Sequence, residues 1–301
     1  MSAAISVITP SFAQARFIER TILSVLDQGV AGLEYVVIDG GSSDGTLDIL
    51  ARYAARLRFV SERDAGQGDA VNKGIAMTTG PVIGWLNSDD LYYPGALAAV
   101  LEHFAEHPEV DVVYGDAHHI GEDDRVIDDY PTEPWSLARL ADVCFLCQPA
   151  VFFRRRVVER FGLLDKSLYY CMDYDYWLRL GLGGANFAHL PRLLAGSRFY
   201  PANKTLRGRA AFHAEINGML KRRLGRVPDR WLANYAHVVV EESGIARDSG
   251  PRFAFAVSWA TLKAGLSWNR TLNASLLALT LGWLKGAVRQ SLSFRRPRAA
   301  P

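Results

Sequence analysis

Leu33-Glu-Tyr-Val-Val-Ile-Asp39 is an apolar run that ends at a carboxylate, and the loop Gly40-Gly-Ser-Ser-Asp-Gly45 follows it directly. A short β-branched run bounded by a glycine-rich turn predicts a buried strand. Thr46–Tyr53 continues with helical spacing, so the stretch has the order strand, loop, helix. Because this order recurs along the first half of the chain, we expect a parallel sheet that is covered by helices on both faces.

Similar runs on either side extend this pattern. The predicted strands are Ile5–Thr9, Leu33–Asp39, Arg58–Ser61, Val82–Leu86, Val110–Tyr114, Val151–Phe153 and Leu193–Phe199. The predicted helices are Ala15–Gln28, Thr46–Tyr53, Gly68–Met77, Pro94–His107 and Tyr174–Leu180. Beyond residue 203 the pattern is helical.

Acidic side chains follow three of the predicted strands. Asp39 ends the second strand, Asp64 follows the third, and Asp89 and Asp90 follow the fourth. Because ligands of such sheets bind at the carboxyl ends of the strands, these residues mark a candidate site. Adjacent carboxylates suit Mg²⁺ or Mn²⁺, which bridge substrate phosphates. The structural alternative is an aspartate-rich turn or an N-cap before the next helix.

Composition and charge narrow the class of protein. The 301 residues are 49% hydrophobic and 22% charged, as in an ordinary globular protein. Residues 1–200 hold 17 basic and 27 acidic residues, whereas residues 201–301 hold 17 basic and 5 acidic ones. This asymmetry favours an anionic contact for the basic end, with a merely solvated face as the alternative. Three cysteines are too few for a disulfide framework and favour a reducing compartment.

Two further patterns bear on function. The loop after the first strand reads Thr9-Pro-Ser-Phe-Ala-Gln14, which lacks the glycine fingerprint of NAD-binding sheets. Tyr170-Cys-Met-Asp-Tyr-Asp-Tyr-Trp-Leu-Arg179 sets two carboxylates among aromatic residues, where a carboxylate can gain general-base strength. A helix cap plus a packed aromatic face explains the second pattern equally well.

Seven motifs, in this order, resemble those of family 2 glycosyltransferases, the inverting nucleotide-sugar enzymes of the GT-A fold. They are Ile5-Ser-Val-Ile-Thr-Pro-Ser-Phe12, Glu34-Tyr-Val-Val-Ile-Asp-Gly-Gly-Ser-Ser-Asp-Gly-Thr46, Ser61-Glu-Arg-Asp-Ala-Gly-Gln-Gly-Asp-Ala-Val-Asn-Lys-Gly-Ile75, Gly84-Trp-Leu-Asn-Ser-Asp-Asp90, Gln148-Pro-Ala-Val-Phe-Phe-Arg154, Met172-Asp-Tyr-Asp-Tyr-Trp-Leu-Arg179 and Arg198-Phe-Tyr-Pro-Ala-Asn-Lys-Thr205. The resemblance implies an α/β fold of the GT-A type, a Rossmann-like and mostly parallel sheet flanked by helices. It also implies a catalytic domain at 1–205 and a helical, basic C-terminal extension at 206–301. Within the catalytic domain, about residues 1–115 would form the nucleotide-binding half and residues 116–205 the acceptor half.

The same resemblance implies a donor pocket. Asp39 and Asp64 would hold the base and ribose of a nucleotide-diphosphate sugar, with a UDP-sugar as the expected donor. Thr9, Pro10 and Ser11 would line that pocket. The residues expected near the donor diphosphate are Arg198 and Lys204.

Roles in the reaction follow from the resemblance as well. Asp89 would bind the divalent ion, Mn²⁺ or Mg²⁺, and Asp90 would support it or touch the donor sugar. Asp173 would be the general base for the acceptor hydroxyl, and Gln148 would lie on the acceptor side. The implied mechanism is one in-line displacement with inversion, in which the cation neutralises charge on the leaving diphosphate.

The implied function is the transfer of one sugar to a glycan or polyprenyl-linked acceptor in surface polysaccharide or cell-envelope assembly, with no nucleic-acid partner. Asn87, Met172 and Tyr200 depart from the family's usual residues, and Tyr200 stands where many relatives carry His. These departures keep open a catalytically dead homologue that binds sugar nucleotide or glycan. A sugar nucleotidyltransferase is a further alternative, although its glycine-rich opening loop is missing.

Residues 252–301 combine many apolar side chains with basic ones and contain no acidic residue. Three interpretations stay open: a helix lying in a membrane interface, a span at Thr271–Val288, and a helical cap or homodimer contact. The first would place a cytoplasmic protein at the inner face of the cell membrane, next to a lipid-linked acceptor.

Overall fold

The computed structural model describes residues 3–201, 203–204 and 208–293, with side chains up to residue 289. The chain divides into two compact units, of which the first ends at Asn203 and the second begins at Lys204. The strands of the first unit are β1 (Ile5–Ser11), β2 (Leu33–Asp39), β3 (Arg58–Ser61), β4 (Val82–Trp85), β5 (Leu91–Tyr92), β6 (Val112–Ile120), β7 (Val126–Asp129), β8 (Val151–Arg154) and β9 (Phe187–Arg198). Its helices are α1 (Ile18–Leu26), α2 (Thr46–Arg52), α3 (Gln67–Ala76), α4 (Ala96–Glu106), α5 (Leu137–Asp142), α6 (Arg155–Phe161) and α7 (Met172–Leu182).

In the described residues these strands form one sheet, in the order β3-β2-β1-β4-β8-β6-β9-β5, with β7 paired to β6. Strands β3, β2, β1 and β4 are parallel to one another, as predicted. Strand β8 is antiparallel to both β4 and β6, and β6 then pairs in parallel with β9. The first four strands therefore end at one edge of the sheet, and the polar loops after them meet there.

The centre of the sheet is dry because its strands are apolar on both faces. All seven residues of β1 are buried. Helix α3 lies close to this strand, since a Cβ on Gly74 would come within 2.4 Å of the Ile8 side chain. Helix α1 buries Ile18, Ile22 and Leu26, the apolar stripe that its spacing predicts.

All seven predicted strands and five predicted helices of this unit are present. Strand β6 is longer than predicted because its second half, with His118 and His119, lacks apolar alternation and resembles a loop. Strands β5 and β7 and helices α5 and α6 are missing from the prediction. Each of them has two to seven residues, too few to establish a period.

The second unit is helical, as predicted. Its helices are α8 (Arg209–Leu224), α9 (Asp229–Glu242), α10 (Pro251–Ala264) and α11 (Ala274–Ser293). Val240, Phe253 and Val257 form its core. Over the described range, no helix is both long enough and apolar enough to cross a bilayer.

Candidate active site

The carboxyl ends of β2, β1 and β4 lie side by side. The N–H of Gly40 donates to the Ser11 carbonyl at 2.8 Å, and the N–H of Leu86 donates to the Ile8 carbonyl at 3.0 Å. These bonds align the loops that follow the three strands. The Asp39 and Asp89–Asp90 segments therefore share one edge of the sheet.

The buried Asp39 carboxylate holds the loop after β2 in place through hydrogen bonds. It is fully buried, and its carboxylate accepts from the N–H groups of Gly41 and Ser42 at 3.0 and 2.8 Å. It also accepts from the hydroxyls of Ser42 and Ser61 at 2.5 and 2.7 Å. A buried carboxylate needs such donors. Because the Asp39 side chain is buried under this loop, a ligand at this edge would contact the outer surface of the loop.

Two side chains flank that surface. A Cβ on Gly40 would lie 3.2 Å from Asp64 Oδ2 and 3.3 Å from the Phe12 ring, so both pack against the glycine. The Phe12 side chain is 66% exposed. An exposed ring beside a carboxylate offers a flat apolar face and a hydrogen-bond acceptor, which a nucleoside base and its ribose require. Phe12 is not among the predicted site residues, although it ends the first motif.

The three residues that are expected to line the donor pocket lie in β1. Thr9, Pro10 and Ser11 are buried in β1, and the Thr9 hydroxyl lies 3.1 Å from that of Tyr35. Ser11 Oγ is buried without a partner in the described part of the chain. Such a hydroxyl at a strand end can bind a ligand. Lys204 begins the second unit and is described with it.

The buried Arg198 holds the Asp89–Asp90 segment in place through hydrogen bonds. This arginine is 2% exposed, and its backbone N–H donates to Asp90 Oδ1 at 2.7 Å. Its Nε donates to the Asp89 carbonyl at 2.6 Å, and its Nη2 pairs with Asp124 at 2.5 Å. The guanidinium also lies 4.8 Å from the centre of the Phe17 ring. In this structure the Arg198 side chain therefore positions the loop.

Asn87, at the first position of the acidic motif, has all its hydrogen-bonding capacity occupied. Its Oδ1 accepts from Gln67 Nε2 at 2.6 Å and from Trp85 Nε1 at 2.9 Å. Its Nδ2 donates to Gln148 Oε1 at 2.7 Å and to Asp90 Oδ2 at 3.1 Å. Two accepted and two donated bonds are the capacity of a side-chain amide. Asn87 thus links α3 to the segment that contains Gln148, and has no lone pair left for a metal.

Asp89 is the carboxylate of this loop that a ligand can reach. It is half-buried, and Tyr200 donates to its Oδ2 at 3.0 Å. Asp90 is almost fully buried, and both of its oxygens accept from protein groups. Neither residue caps α4, whose N-cap is Gly95, so the N-cap alternative is wrong. The turn is present, since the N–H of Asp90 donates to the Asn87 carbonyl at 3.1 Å.

The two adjacent carboxylates destabilise each other's charge. Burial, and then the neighbouring Asp89, raise the pKa of Asp90 to about 8. Burial also raises the pKa of Asp89, against the lowering effects of the Tyr200 hydrogen bond and the Arg198 charge. A divalent cation at Asp89 would relieve this cost. Among the described residues, no three His, Cys, Asp or Glu side chains form a metal cage.

Asp173 lies in the first turn of α7. Its neighbour Met172 places this helix start beside α3, since a Cβ on Gly68 would lie 3.5 Å from Met172 Sδ. Burial raises the pKa of the Cys147 thiol, and the charges of nearby Asp90, Cys144 and Asp173 raise it further. Gln67, next to Gly68, bonds to Asn87 at 2.6 Å, so the start of α7 lies near the Asp89–Asp90 segment. The N-cap of α7 is Cys171, so Asp173 is not the N-cap of this helix.

Four residues that organise this site have no role in the sequence prediction. They are Gln67, Trp85, Phe17 and Phe12. Gln67 and Trp85 lie inside quoted motifs, but their function depends on Asn87, which only the folded chain brings to them.

Comparisons with known proteins identify the family of this chain. The family model described as Glycosyl transferase family 2 matches residues 6–162, more than half of the chain. Chondroitin synthase of Escherichia coli is 28% identical over 207 residues, which are 67% of this chain and 30% of that protein. A PGL/p-HBAD biosynthesis glycosyltransferase of Mycobacterium bovis is 33% identical over 183 residues, which are 58% of this chain and 68% of that protein. This chain thus spans under a third of the length of the chondroitin synthase.

Solved structures share the fold. Staphylococcus aureus TarS 1–349 in complex with UDP-GlcNAc has a TM-score of 0.60 at 16% identity, with 98% of this chain and 93% of that chain covered. The mannosyltransferase PcManGT from Pyrobaculum calidifontis, in complex with GDP-Man and Mn²⁺, has a TM-score of 0.54 at 18% identity, with 98% and 89% covered. The predicted GT-A type fold is confirmed. Because the family model accounts for more than half of its residues, the chain belongs to glycosyl transferase family 2.

Proposed function

We propose that this protein is an inverting glycosyltransferase that moves one sugar from a nucleotide-diphosphate donor to a hydroxyl of a glycan or polyprenyl-linked acceptor of the cell envelope. The observation that carries the proposal is the convergence of Asp89, Asp90 and Asp173. Asp89 and Asp90 lie at the sheet edge, and Asp173 lies in a helix start whose Met172 is close to Gly68, the residue after the Gln67 that bonds to Asn87. Family membership supports it.

The donor base and ribose bind against the loop after β2. Phe12 packs on the base, Asp64 accepts from the ribose, and Ser11 supplies its unpartnered hydroxyl. Asp39 keeps the loop in shape through four hydrogen bonds. The complex of TarS with UDP-GlcNAc supports a UDP-sugar as the first donor to test.

Asp89 holds the divalent ion, Mn²⁺ or Mg²⁺. Its carboxylate is accessible, whereas Asp90 is committed to Arg198 and Asn87. One protein carboxylate suits these ions, since they keep several waters and bind substrate phosphates. When bound, the ion neutralises negative charge on the leaving diphosphate. The Mn²⁺ complex of PcManGT supports this assignment.

Asp173 accepts the proton of the acceptor hydroxyl as that oxygen attacks the anomeric carbon. It lies in the first turn of α7, next to Met172, which is close to Gly68 of α3. A base on the side opposite the leaving diphosphate gives a single displacement with inversion. Arg198 positions the loop beneath the diphosphate, and Lys204 follows it in the sequence.

The second unit provides contact with a membrane surface. Phe255 and Trp259 of α10 are 66% and 55% exposed, and Leu281 of α11 is 52% exposed. Lys263 lies 5.2 Å over the Trp259 ring, and residues 249–301 contain no acidic side chain. Exposed aromatic and aliphatic groups with basic neighbours suit an anionic lipid interface. Such contact would bring the cytoplasmic enzyme to a lipid-linked acceptor at the inner face of the membrane.

A donor panel tests the proposed reaction. We expect one of UDP-, GDP- or dTDP-sugars, with Mn²⁺ or Mg²⁺, to release nucleoside diphosphate, and Asp89→Ala to abolish the metal-dependent release. A protein that binds these donors but releases no diphosphate with any of them would favour the catalytically dead homologue.

A further inference from the structure

The Phe199 ring lies on the exposed surface beside the proposed catalytic centre. Phe199 directly follows β9 and is 45% exposed. The His119 ring lies 5.7 Å from it between ring centres. Together these rings form an open aromatic surface, here called the Phe199 platform. An exposed ring of this kind offers a flat apolar face to a ligand.

The platform has hydrogen-bonding groups at its border. His119 Nδ1 lies 2.6 Å from Asp128 Oδ1, and the Asp128 side chain is 64% exposed. Nε2 of His119 has no partner within the described part of the chain. The platform therefore combines a flat apolar face with an imidazole nitrogen and a carboxylate, which are groups that bind hydroxyls.

The end of β9 places the platform beside the Asp89–Asp90 segment. Arg198 and Tyr200, on either side of Phe199, donate to the Asp89 carbonyl at 2.6 Å and to Asp89 Oδ2 at 3.0 Å. The N–H of Phe199 donates to the Ile120 carbonyl at 2.8 Å and so continues the pairing of β9 with β6, which sets Phe199 on the opposite face from Arg198. The buried Arg198 thus holds the Asp89–Asp90 segment, whereas the Phe199 ring is exposed next to it.

A second set of contacts leads to the same place. The His119 ring lies 5.2 Å from that of Tyr130, whose hydroxyl donates to the Cys144 carbonyl at 3.3 Å. Burial raises the pKa of Tyr130, and nearby Cys144, Cys147 and Asp173 raise it further. Tyr130 therefore connects the platform to the Cys144–Leu146 segment, which lies just before Gln148.

We propose that the Phe199 platform is a subsite for a pyranose ring of the acceptor glycan. The C–H face of the sugar packs on Phe199, while its hydroxyls bond to His119 and Asp128. This site is distinct from the donor surface at Phe12. The inference rests on the proposed transferase function, because only a sugar transferase would need an acceptor subsite at this place.

The test uses the full chain and methyl pyranosides as probes: the glucoside, galactoside, mannoside and N-acetylglucosaminide. Their binding is measured by saturation-transfer NMR with UDP present in excess. The key variant is Phe199→Ala, and Phe199→Trp is the conservative change. Ile127→Ala is the matched control, since Ile127 is 55% exposed on the neighbouring β7.

We expect at least one pyranoside to bind wild-type protein, and Phe199→Ala to weaken it about fivefold or more. Phe199→Trp and Ile127→Ala should retain the binding. UDP affinity, measured by calorimetry, should be equal in all variants, which also shows that they fold.

The platform is refuted if Phe199→Ala leaves pyranoside binding unchanged, if UDP displaces the sugar, or if no pyranoside binds wild-type protein. Failure of the transferase proposal looks different. In that case the wild-type protein binds neither UDP nor GDP, and the pyranoside measurements still decide the platform.

Discussion

The phenol of Tyr200 donates a 3.0 Å hydrogen bond to Oδ2 of Asp89. Tyr200 packs against Phe17, with 5.0 Å between the ring centres, and Phe17 also contacts the Arg198 guanidinium. A phenol in this position orients the carboxylate. Tyr200 thereby holds one carboxylate oxygen of Asp89, and the other oxygen stays available for a cation.

Removal of the Tyr200 hydroxyl should weaken metal binding. We expect Tyr200→Phe to lower Mn²⁺ affinity about tenfold in the presence of UDP, because the Asp89 carboxylate loses the partner that orients it. Calorimetric titration with Mn²⁺ measures this. Tyr169→Phe, at an exposed tyrosine, should change nothing. Unchanged or tighter Mn²⁺ binding by Tyr200→Phe would contradict the orienting role.

Arg198 should be important for stability. We expect Arg198→Met to lower the free energy of unfolding by about 3 kcal/mol, because it leaves buried acceptors and Asp124 without their partner. Urea unfolding measures the change. Arg16→Met is the control, since Arg16 forms an exposed ion pair with Glu122 and should cost about 0.5 kcal/mol or less. Equal losses in both variants would refute the structural role of Arg198.

Asp173 should be needed for transfer and not for donor binding. We expect Asp173→Asn to slow sugar transfer about 100-fold or more, since an amide cannot accept the acceptor proton. Donor affinity should remain at the wild-type value. Glu159→Gln, at an exposed position of α6, serves as the control. Transfer at full rate by Asp173→Asn would mean that another group is the base.

Acid should destabilise the second unit through His213. Burial, and then the charge of nearby Arg209, lower the pKa of His213 to about 4. Between about pH 4 and pH 6.5 the unfolded chain binds a proton at this residue that the folded chain does not. The stability contributed by neutral His213 is therefore complete above about pH 6.5 and is lost as pH falls toward 4.

Urea unfolding at pH 7 and pH 5 measures this effect. The free energy of unfolding should fall less between these pH values in His213→Gln than in the wild-type protein. His107→Gln, at an exposed histidine, should behave like wild type. An identical pH response in all three proteins would refute the assignment.

The apolar surface of the second unit should bind anionic vesicles. We expect Phe255→Ser combined with Trp259→Ser to reduce sedimentation with vesicles that contain phosphatidylglycerol, because both exposed rings are lost. High salt should reduce binding of the wild-type protein. Ile127→Ser, in the first unit, is the control for a lost exposed apolar side chain. Equal sedimentation of all variants would exclude the membrane contact.

The sequence predicts the parallel core of the fold well and the inner contacts of the site poorly. Strands β1, β2 and β4 contain buried apolar runs, so their pattern is clear. The Asp89–Asp90 segment is likewise marked by its position after β4. The partners of Asn87 are not, since Gln148 lies 61 positions away and only the fold brings the two amides together. For the same reason, sequence alone assigns Arg198 to the diphosphate and misses its contacts with the loop.

The saturated amide of Asn87 also constrains how this protein can evolve. An aspartate at position 87 would point an oxygen at the acceptors of Gln148 and Asp90 and would repel both. A return to an acidic residue there is therefore disfavoured as a single step, and compatible changes at Gln148 or Asp90 have to accompany it. Family members with aspartate at this position are expected to carry different residues at the positions of Gln148 or Asp90. Position 87 and these partners should therefore change together.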